Sequence, residues 1–158
     1  MHREAIPEPV WRLLPGLSGL KTMTPVYLVG GTALALHLGH RLSADLDFLI
    51  PKDYEYQPLL HDLLGLSHKP TLTSQSSSYW ALIIDNIKVD YLRELIPRRF
   101  PLKMVVFEDA TFKVADPLDI GRMKLHAIAS RGSRKDFIDL YYLTPKPDII
   151  GEPAHDGP

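Results

Sequence analysis

Two aspartates, Asp45 and Asp47, are separated by one residue in a short apolar run and are the residues of this chain best placed for chemistry. Side chains alternate between the two faces of a β-strand, so a strand here would direct both carboxylates to one face and Leu46 and Phe48 to the other. Adjacent carboxylates repel each other unless a cation lies between them, and Mg²⁺ binds one or two carboxylates together with substrate phosphates. The spacing therefore indicates phosphate chemistry on a metal ion.

A third aspartate, Asp90, lies among apolar neighbours in a later β-rich run. If that strand pairs beside the strand of Asp45 and Asp47, three acids could hold two Mg²⁺ ions about 3.5 to 4 Å apart for in-line phosphoryl displacement. The alternatives are a solvated strand face for the first two acids and an ion pair with Lys88 or Arg93 for the third. We favour the metal site because buried carboxylates without a cation are costly.

The pair Gly30-Gly31 precedes the acidic strand and follows a short β-branched run, Val26–Val29. Thr32 is a candidate N-cap for a helix that begins with the next residues, ALALHL. Glycines before a helix let backbone N–H groups approach a phosphate, and the helix N-terminus adds partial positive charge. Most Gly-Gly pairs are simple turns, so this signal gains weight only from the acids that follow it.

The loop that enters the acidic strand contains His40, Arg41 and Ser43. A nucleotide bound at the glycines would lie close to this loop, and Arg41 is its best candidate for a phosphate contact. The alternative for Arg41 is an ordinary surface arginine, and His40 is more often packed or solvated than a ligand.

Charged residues recur at helical spacing near the C-terminus. Lys124 and Arg131 are seven residues apart and would share a helix face, as would Asp136 and Asp139, which are three apart. Lys124 could equally be a solvated helix charge. The two aspartates either position Lys124 and Arg131 or join the last two helices to each other; both options stay open for Asp136, whereas for Asp139 we favour the site.

The remaining pattern predicts the elements that must position these residues. Apolar spacing and turn residues predict a helix over 9–20 broken at Pro15, a helix over 54–64, a hairpin of 78–85 and 87–92 turning at Asp85-Asn86, a hairpin over 103–115, and helices over 116–131 and 134–143. We expect one domain over residues 1–144 and a loose Pro- and Gly-rich tail over 145–158.

Composition narrows the class of protein. The chain has 158 residues, a formal net charge of −1 and no cysteine, so it has no disulfides or thiolate metal sites and no global attraction to nucleic acid. Local basic clusters occur at Arg98, Arg99 and Lys103 and over 122–135. The chain lacks an apolar run of about 18 residues and an apolar N-terminal segment, so we expect a cytoplasmic protein without a membrane partner.

Taken together, the Gly-Gly pair, the short helix, the Asp-x-Asp strand and the later aspartate resemble the nucleotidyltransferase fold of the DNA polymerase beta superfamily. Within it, GGTALALHLGHRLSADLDF over 30–48 and KDFIDLYYL over 135–143 resemble the AbiEii/AbiGii toxin group of bacterial phage-defence and toxin-antitoxin systems. The resemblance covers residues 26–143. It implies an α/β fold of the α+β type, in which helices flank a mixed, mostly antiparallel sheet and further helices follow at the C-terminus.

The resemblance also implies roles for individual residues. Asp45 and Asp47 would hold catalytic Mg²⁺, and Asp90 would be a third ligand or the base that takes the proton of the attacking hydroxyl. Lys124 would contact phosphate, for which its compact ammonium group is suited. The nucleoside triphosphate would be bound by Gly30, Gly31, Thr32, Arg41, Ser43, Arg131 and Asp139.

The implied activity is a Mg²⁺-dependent nucleotidyltransferase that moves a nucleoside monophosphate from a nucleoside triphosphate to a hydroxyl of RNA, transfer RNA included, or of protein. The implied setting is a toxin with a cognate antitoxin protein. A non-catalytic module that keeps the fold and binds a nucleotide or a partner is the alternative, and a metal-dependent phosphohydrolase is a weaker third.

Overall fold

The computed structural model describes residues 1–145, which form seven β-strands and five α-helices besides two short 3₁₀ turns. The strands are β1 (Tyr27–Val29), β2 (Leu46–Ile50), β3 (Thr71–Gln75), β4 (Tyr79–Ile84), β5 (Ile87–Arg93), β6 (Lys103–Phe107) and β7 (Ala110–Val114). The helices are α1 (Glu8–Ser18), α2 (Gly30–Leu38), α3 (Gln57–Leu64), α4 (Pro117–Ser130) and α5 (Arg134–Leu143). Apart from Pro145, the tail expected over 145–158 lies outside the described residues.

All seven strands belong to one sheet with the order β3-β4-β5-β2-β1-β7-β6. The β1–β7 and β2–β5 pairs are parallel, and the four other pairs are antiparallel. The sheet is thus mixed and mostly antiparallel, which confirms the predicted fold class. Strand β2, which carries Asp47, is the central strand, with β1 on one side and β5 on the other.

The register of β2 with β5 separates the two faces of the sheet. Asp47 is opposite Asp90, and Phe48 is opposite Tyr91. The rings of Phe48 and Tyr91 stack with their centroids 5.2 Å apart, and both side chains are buried in the hydrophobic core. Because neighbouring residues of a strand point to opposite faces, the two carboxylates lie on the face away from this aromatic pair.

Local turn chemistry is confirmed at the β4–β5 hairpin, where Asp85 and Asn86 have φ angles of 51° and 64°. Both residues tolerate this left-handed conformation, which a two-residue hairpin turn requires. The β6–β7 hairpin and the helices α3, α4 and α5 also occur where the sequence predicts them. None of the helices in the described part of the chain has the length and apolar character needed to span a bilayer.

The predicted break of the first helix at Pro15 is wrong, because α1 continues through this residue to Ser18. A proline inside a helix costs about 3 kcal/mol through a lost hydrogen bond and a steric clash. Packing of the apolar face of α1 offsets this cost. The buried residues of that face are Val10, Trp11, Leu13, Leu14 and Leu17.

Candidate active site

The centre of the site is the carboxylate pair of Asp47 and Asp90 on adjacent strands. Burial first, and the charge of Asp90 second, raise the pKa of Asp47 to about 6 against the opposing charges of Lys124 and Lys88. Asp90 Oδ2 lies 3.3 Å from Lys88 Nζ. Asp90 Oδ1 is buried and has no hydrogen-bond partner among residues 1–145. The pair therefore carries more negative charge than the surrounding side chains neutralise.

Asp45 is placed differently from the other two acids. It lies just before β2 and its side chain is exposed, although its charge still contributes to the raised pKa of Asp47. Within residues 1–145 no three acidic or histidine side chains are grouped closely enough to hold a metal ion. The predicted cluster of three acids is thus an adjacent pair, Asp47 and Asp90, with Asp45 exposed at the entrance of the strand.

Gly30 begins α2 directly after β1, with no turn between the two elements. Its φ angle is +70°, and a Cβ atom at this position would overlap Oδ2 of Asp47. The residue must therefore be glycine for both conformational and steric reasons. Consequently the carboxylate of Asp47 packs against the N-terminus of α2, where the backbone N–H groups of the first turn lack helical partners.

The prediction that Thr32 caps α2 is wrong. The N-cap is Val29, and Thr32 lies buried in the first turn of the helix. Its hydroxyl donates a hydrogen bond to the backbone carbonyl of Asp45 and lies 2.9 Å from the hydroxyl oxygen of Ser43, which is also buried. Thr32 and Ser43 therefore join α2 to the loop that enters the acidic strand. This contact fixes the position of the Asp45 backbone at the end of that loop.

A second charged group, the Asp139 cluster, consists of Asp139 and the side chains of His40, Arg41 and Lys124. Asp139 is fully buried on α5. Its Oδ1 lies 2.7 Å from His40 Nε2 and 2.8 Å from Arg41 Nε, and its Oδ2 lies 3.0 Å from Arg41 Nη2 and 2.9 Å from Lys124 Nζ.

Burial alone would raise the pKa of Asp139, but these hydrogen bonds outweigh it and hold the pKa well below its usual range. Both carboxylate oxygens are thus fully occupied by protein donors. The structure places Asp139 beside the site candidates Arg41 and Lys124, as the sequence analysis favours. Asp139 is buried and holds these two side chains in place. It has no exposed oxygen that could bind a ligand.

Asp136 holds Lys124, one of the two cations that the sequence analysis assigns to it, and also joins the last two helices. Its Oδ1 lies 2.8 Å from Lys124 Nζ, and its Oδ2 accepts hydrogen bonds from the backbone N–H and the hydroxyl of Ser133. Ser133 in turn caps α5, so the two residues form a capping box. Asp136 therefore holds Lys124 and also joins α4 to the start of α5.

Gly31 brings the Asp139 cluster next to the carboxylate pair. A Cβ atom on Gly31 would overlap Nη2 of Arg41, whose two bonds to Asp139 leave the guanidinium little freedom to move. The first turn of α2 thus lies between the carboxylate of Asp47 and the guanidinium of Arg41. This arrangement places a carboxylate and a guanidinium at one turn of helix, and these are the two kinds of charge that metal-assisted phosphate chemistry uses.

Arg131 is not brought to this cluster by the described structure. It is exposed at the C-cap of α4, with φ −144° and ψ −23°, one position beyond the last helical residue. Since Arg131 is not helical, the predicted helix face that it would share with Lys124 does not extend to it. The structure does bring His40 to the cluster, where its side chain is only 1% exposed and contacts Asp139. The only sequence signal for this contact is the position of His40 beside Arg41.

The donor set of the carboxylate pair fits a hard divalent cation. Asp47 and Asp90 supply only carboxylate oxygens, which are the ligands that Mg²⁺ prefers. The unpartnered Oδ1 of Asp90 and the raised pKa of Asp47 are both features that a nearby positive ion would relieve. The described residues therefore fit a magnesium ion at Asp47 and Asp90.

Comparisons with known proteins support the described fold and also identify the family of the chain. A protein of Aquifex aeolicus (strain VF5), described as the uncharacterized protein aq_aa25, is 36% identical over 124 residues, which are 76% of this chain and 58% of that protein. This chain thus spans less than two thirds of that relative.

Three solved structures share the fold. JHP933 from Helicobacter pylori has a TM-score of 0.60 at 22% identity, covering 89% of this chain and 66% of that one. A nucleotidyltransferase-like antigenic protein from Paracoccidioides brasiliensis has a TM-score of 0.60 at 19% identity, covering 85% and 74%. ANT(2″)-Ia in complex with adenylyl-2″-tobramycin has a TM-score of 0.57 at 12% identity, covering 86% and 87%.

The family model described as "Nucleotidyl transferase AbiEii toxin, Type IV TA system" matches residues 12–152 and so includes every element that contributes to the site. The chain belongs to the AbiEii nucleotidyl transferase toxin family.

Proposed function

We propose that residues 1–144 form a single nucleotidyltransferase domain that moves a nucleoside monophosphate from a nucleoside triphosphate to a hydroxyl group, with Mg²⁺ as cofactor. The observation that carries the proposal is the carboxylate pair of Asp47 and Asp90 beside the N-terminus of α2, with Arg41 and Lys124 held next to it. In the transfer, the hydroxyl oxygen bonds to the α-phosphorus while the bond to pyrophosphate breaks, and the hydroxyl loses its proton.

In this proposal Asp47 and Asp90 hold one or two magnesium ions, with Asp45 joining them from the strand entrance. The chemistry supplied by Mg²⁺ there is neutralisation of the triphosphate charge and activation of the attacking hydroxyl. Asp90 is a ligand or the acceptor of the hydroxyl proton, since its Oδ1 is unpartnered within the described residues. Catalysis on this scheme consists mainly of positioning and electrostatic stabilisation.

The phosphates would bind on the positive side of the site. Gly30 and Gly31 would let the backbone N–H groups of α2 approach the triphosphate, and Arg41 and Lys124 would add charge. Asp139 would act only by holding these two cations, because both its oxygens are already bonded. Thr32 and Ser43 would shape the loop, and we assign Arg131 no contact with the nucleotide.

We further propose that the acceptor is RNA, transfer RNA included, or a protein, and that the enzyme is a cytoplasmic toxin with a cognate antitoxin. Support comes from the family description, which names a toxin of a type IV toxin-antitoxin system. The complex of ANT(2″)-Ia with adenylyl-2″-tobramycin gives a precedent for a nucleotidylated product on this fold.

The test is transfer of label from each α-³²P nucleoside triphosphate, with Mg²⁺, to total cellular RNA or to lysate protein. Asp47→Asn should lower transfer by at least about a hundredfold, because the site loses the charge that holds the metal ion. Asp53→Asn is the matched control, since Asp53 is an exposed aspartate outside the site. Transfer at the parental rate by Asp47→Asn would refute the assignment of the carboxylate pair.

A non-catalytic module remains the second candidate, because within residues 1–145 no three acidic or histidine side chains are grouped closely enough to hold a metal ion. It predicts nucleotide binding by calorimetry without turnover, and any release of pyrophosphate in the presence of Mg²⁺ would exclude it. A phosphohydrolase would consume the triphosphate without labelling an acceptor, so the same assay separates all three.

A further inference from the structure

Within residues 1–145, two lysines lie near the carboxylate pair, and they differ in their freedom to move. Lys124 is 11% exposed in its side chain and is fixed by ion pairs of 2.8 and 2.9 Å to two aspartates of α5. Lys88 is 53% exposed and has one longer ion pair, 3.3 Å from its Nζ to Oδ2 of Asp90. Only Lys88 can therefore leave the pair without breaking a buried network.

The position of Lys88 on β5 explains this ion pair. Lys88 is two residues before Asp90, so both side chains project from the same face of the strand. The side chain of Asp90 is 10% exposed, so the ammonium group meets it at the solvent boundary. Lys88 thus supplies positive charge at the same carboxylate oxygens that suit a divalent cation.

We infer that Lys88 is the resident counter-cation of the carboxylate pair, whose charge it partly offsets in the metal-free protein through Asp90 and from which it is released when a divalent cation binds Asp47 and Asp90. The inference rests on the metal site of the proposed function. An ammonium group and a divalent ion cannot both lie close to the same carboxylate without repulsion, so the two compete. The released ammonium is then free to contact the phosphates that arrive with the metal ion.

The inference predicts that removing the charge of Lys88 strengthens metal binding. A residue that supports a metal site weakens metal binding when it is removed, whereas removal of a competitor strengthens it. Lys88→Met keeps the length of the side chain and removes its charge, and we expect it to bind Mn²⁺ about three- to tenfold more tightly than the parent. Lys88→Arg keeps the charge and should bind Mn²⁺ like the parent.

The experiment is titration of the metal-free full chain with Mn²⁺ alone, followed by electron paramagnetic resonance of the free ion. Lys52→Met is the matched control, since Lys52 is an exposed lysine away from the pair, and its affinity should equal that of the parent. Tighter binding by Lys88→Met together with parental binding by Lys88→Arg would support the inference. Unchanged or weaker binding by Lys88→Met, or no binding by any variant, would overturn it.

The nucleotide-transfer assay is kept separate from this titration. If the parent transfers label while Lys88→Met binds Mn²⁺ no more tightly, the inference fails and the proposed function stands. If no label is transferred while Lys88→Met binds Mn²⁺ more tightly than the parent, the role of Lys88 stands and the proposed reaction fails.

Discussion

Asp47 should reduce the stability of the metal-free protein, so that Asp47→Asn folds more stably than the parent. The reason is the raised pKa of this carboxyl, about 6 against a usual 3.8, which burial causes first and the charge of Asp90 second. An acid whose pKa is higher in the folded state binds its proton more tightly there. Its ionisation therefore lowers the free energy of unfolding as the pH rises from about 4 to about 6.

The gap between the two pKa values corresponds to about 3 kcal/mol of unfolding free energy once Asp47 is ionised in both states. This value is an upper limit for the gain from Asp47→Asn, since the amide must still be buried and can lose hydrogen bonds. We expect a gain of about 1 to 3 kcal/mol at pH 7.5, or about 3 to 9 °C in the unfolding midpoint of a chain of this size. At pH 4 the upper limit of the gain should fall to about 0.5 kcal/mol, because the carboxyl of the parent is then neutral in the folded state and only about half ionised in the unfolded state.

The assay is urea unfolding in EDTA at pH 4 and pH 7.5, followed by the fluorescence of the chain's two tryptophans. Asp53→Asn should stay within about 0.5 kcal/mol of the parent at both values, as exposed substitutions usually do. Adding Mg²⁺ should then stabilise the parent, by about 2.7 kcal/mol at a hundred times the dissociation constant, and leave Asp47→Asn nearly unchanged. A variant that is less stable than the parent at pH 7.5, or equally stabilised at pH 4, would refute this reasoning.

Three further substitutions test other parts of the structure. Asp139→Asn leaves Arg41 and its neighbours without their buried anion and should cost about 3 to 5 kcal/mol in urea unfolding at pH 7; a loss below 1 kcal/mol would contradict the geometry of the cluster. Gly30→Ala puts a side chain at a φ of +70° and against Asp47, so it should cost about 1 to 3 kcal/mol in thermal unfolding and also lower label transfer. Asn86→Gly, at a φ of 64° in the hairpin turn, should gain about 0.5 to 1 kcal/mol, and a loss would show that the asparagine side chain stabilises the turn.

The parts of the fold that the sequence predicts are those that local chemistry determines. The Asp85-Asn86 turn, the alternation around Asp47 and Asp90 and the start of α4 after Asp116 each depend on a few adjacent residues. Strand β3 was not predicted, because its residues TLTSQ are mostly exposed and show no apolar alternation. Strand β3 is held in place by pairing with β4, and the residues of β3 alone do not signal this pairing.

The candidate site was predictable as a set of residues but not as a set of contacts. The acids of β2 and β5 come together because their strands pair in register. The bonds of Asp139 to Arg41 and His40 join residues 98 and 99 positions apart, and no local pattern signals them. The exposed position of Asp45 depends on how Thr32 and Ser43 hold the loop, which likewise involves distant residues.

Asp47 and Asp139 show how one site can use the same side chain in two opposite ways. Asp139 is buried and Asp47 is half-buried, yet the pKa of Asp47 is raised by desolvation and a like charge, whereas the pKa of Asp139 is lowered because three donor side chains outweigh its burial. Asp139 therefore stabilises the fold above the usual pKa of aspartate, and that contribution is lost as the pH falls toward its own low value.

Asp47 should instead lower the stability of the metal-free fold, and a bound cation would offset that cost. Asp139 holds Arg41 and Lys124 in place, and the carboxylate pair carries the uncompensated charge that we propose for binding a metal ion. If Asp47→Asn and Asp139→Asn shifted stability in the same direction at neutral pH, this division of the site would be wrong.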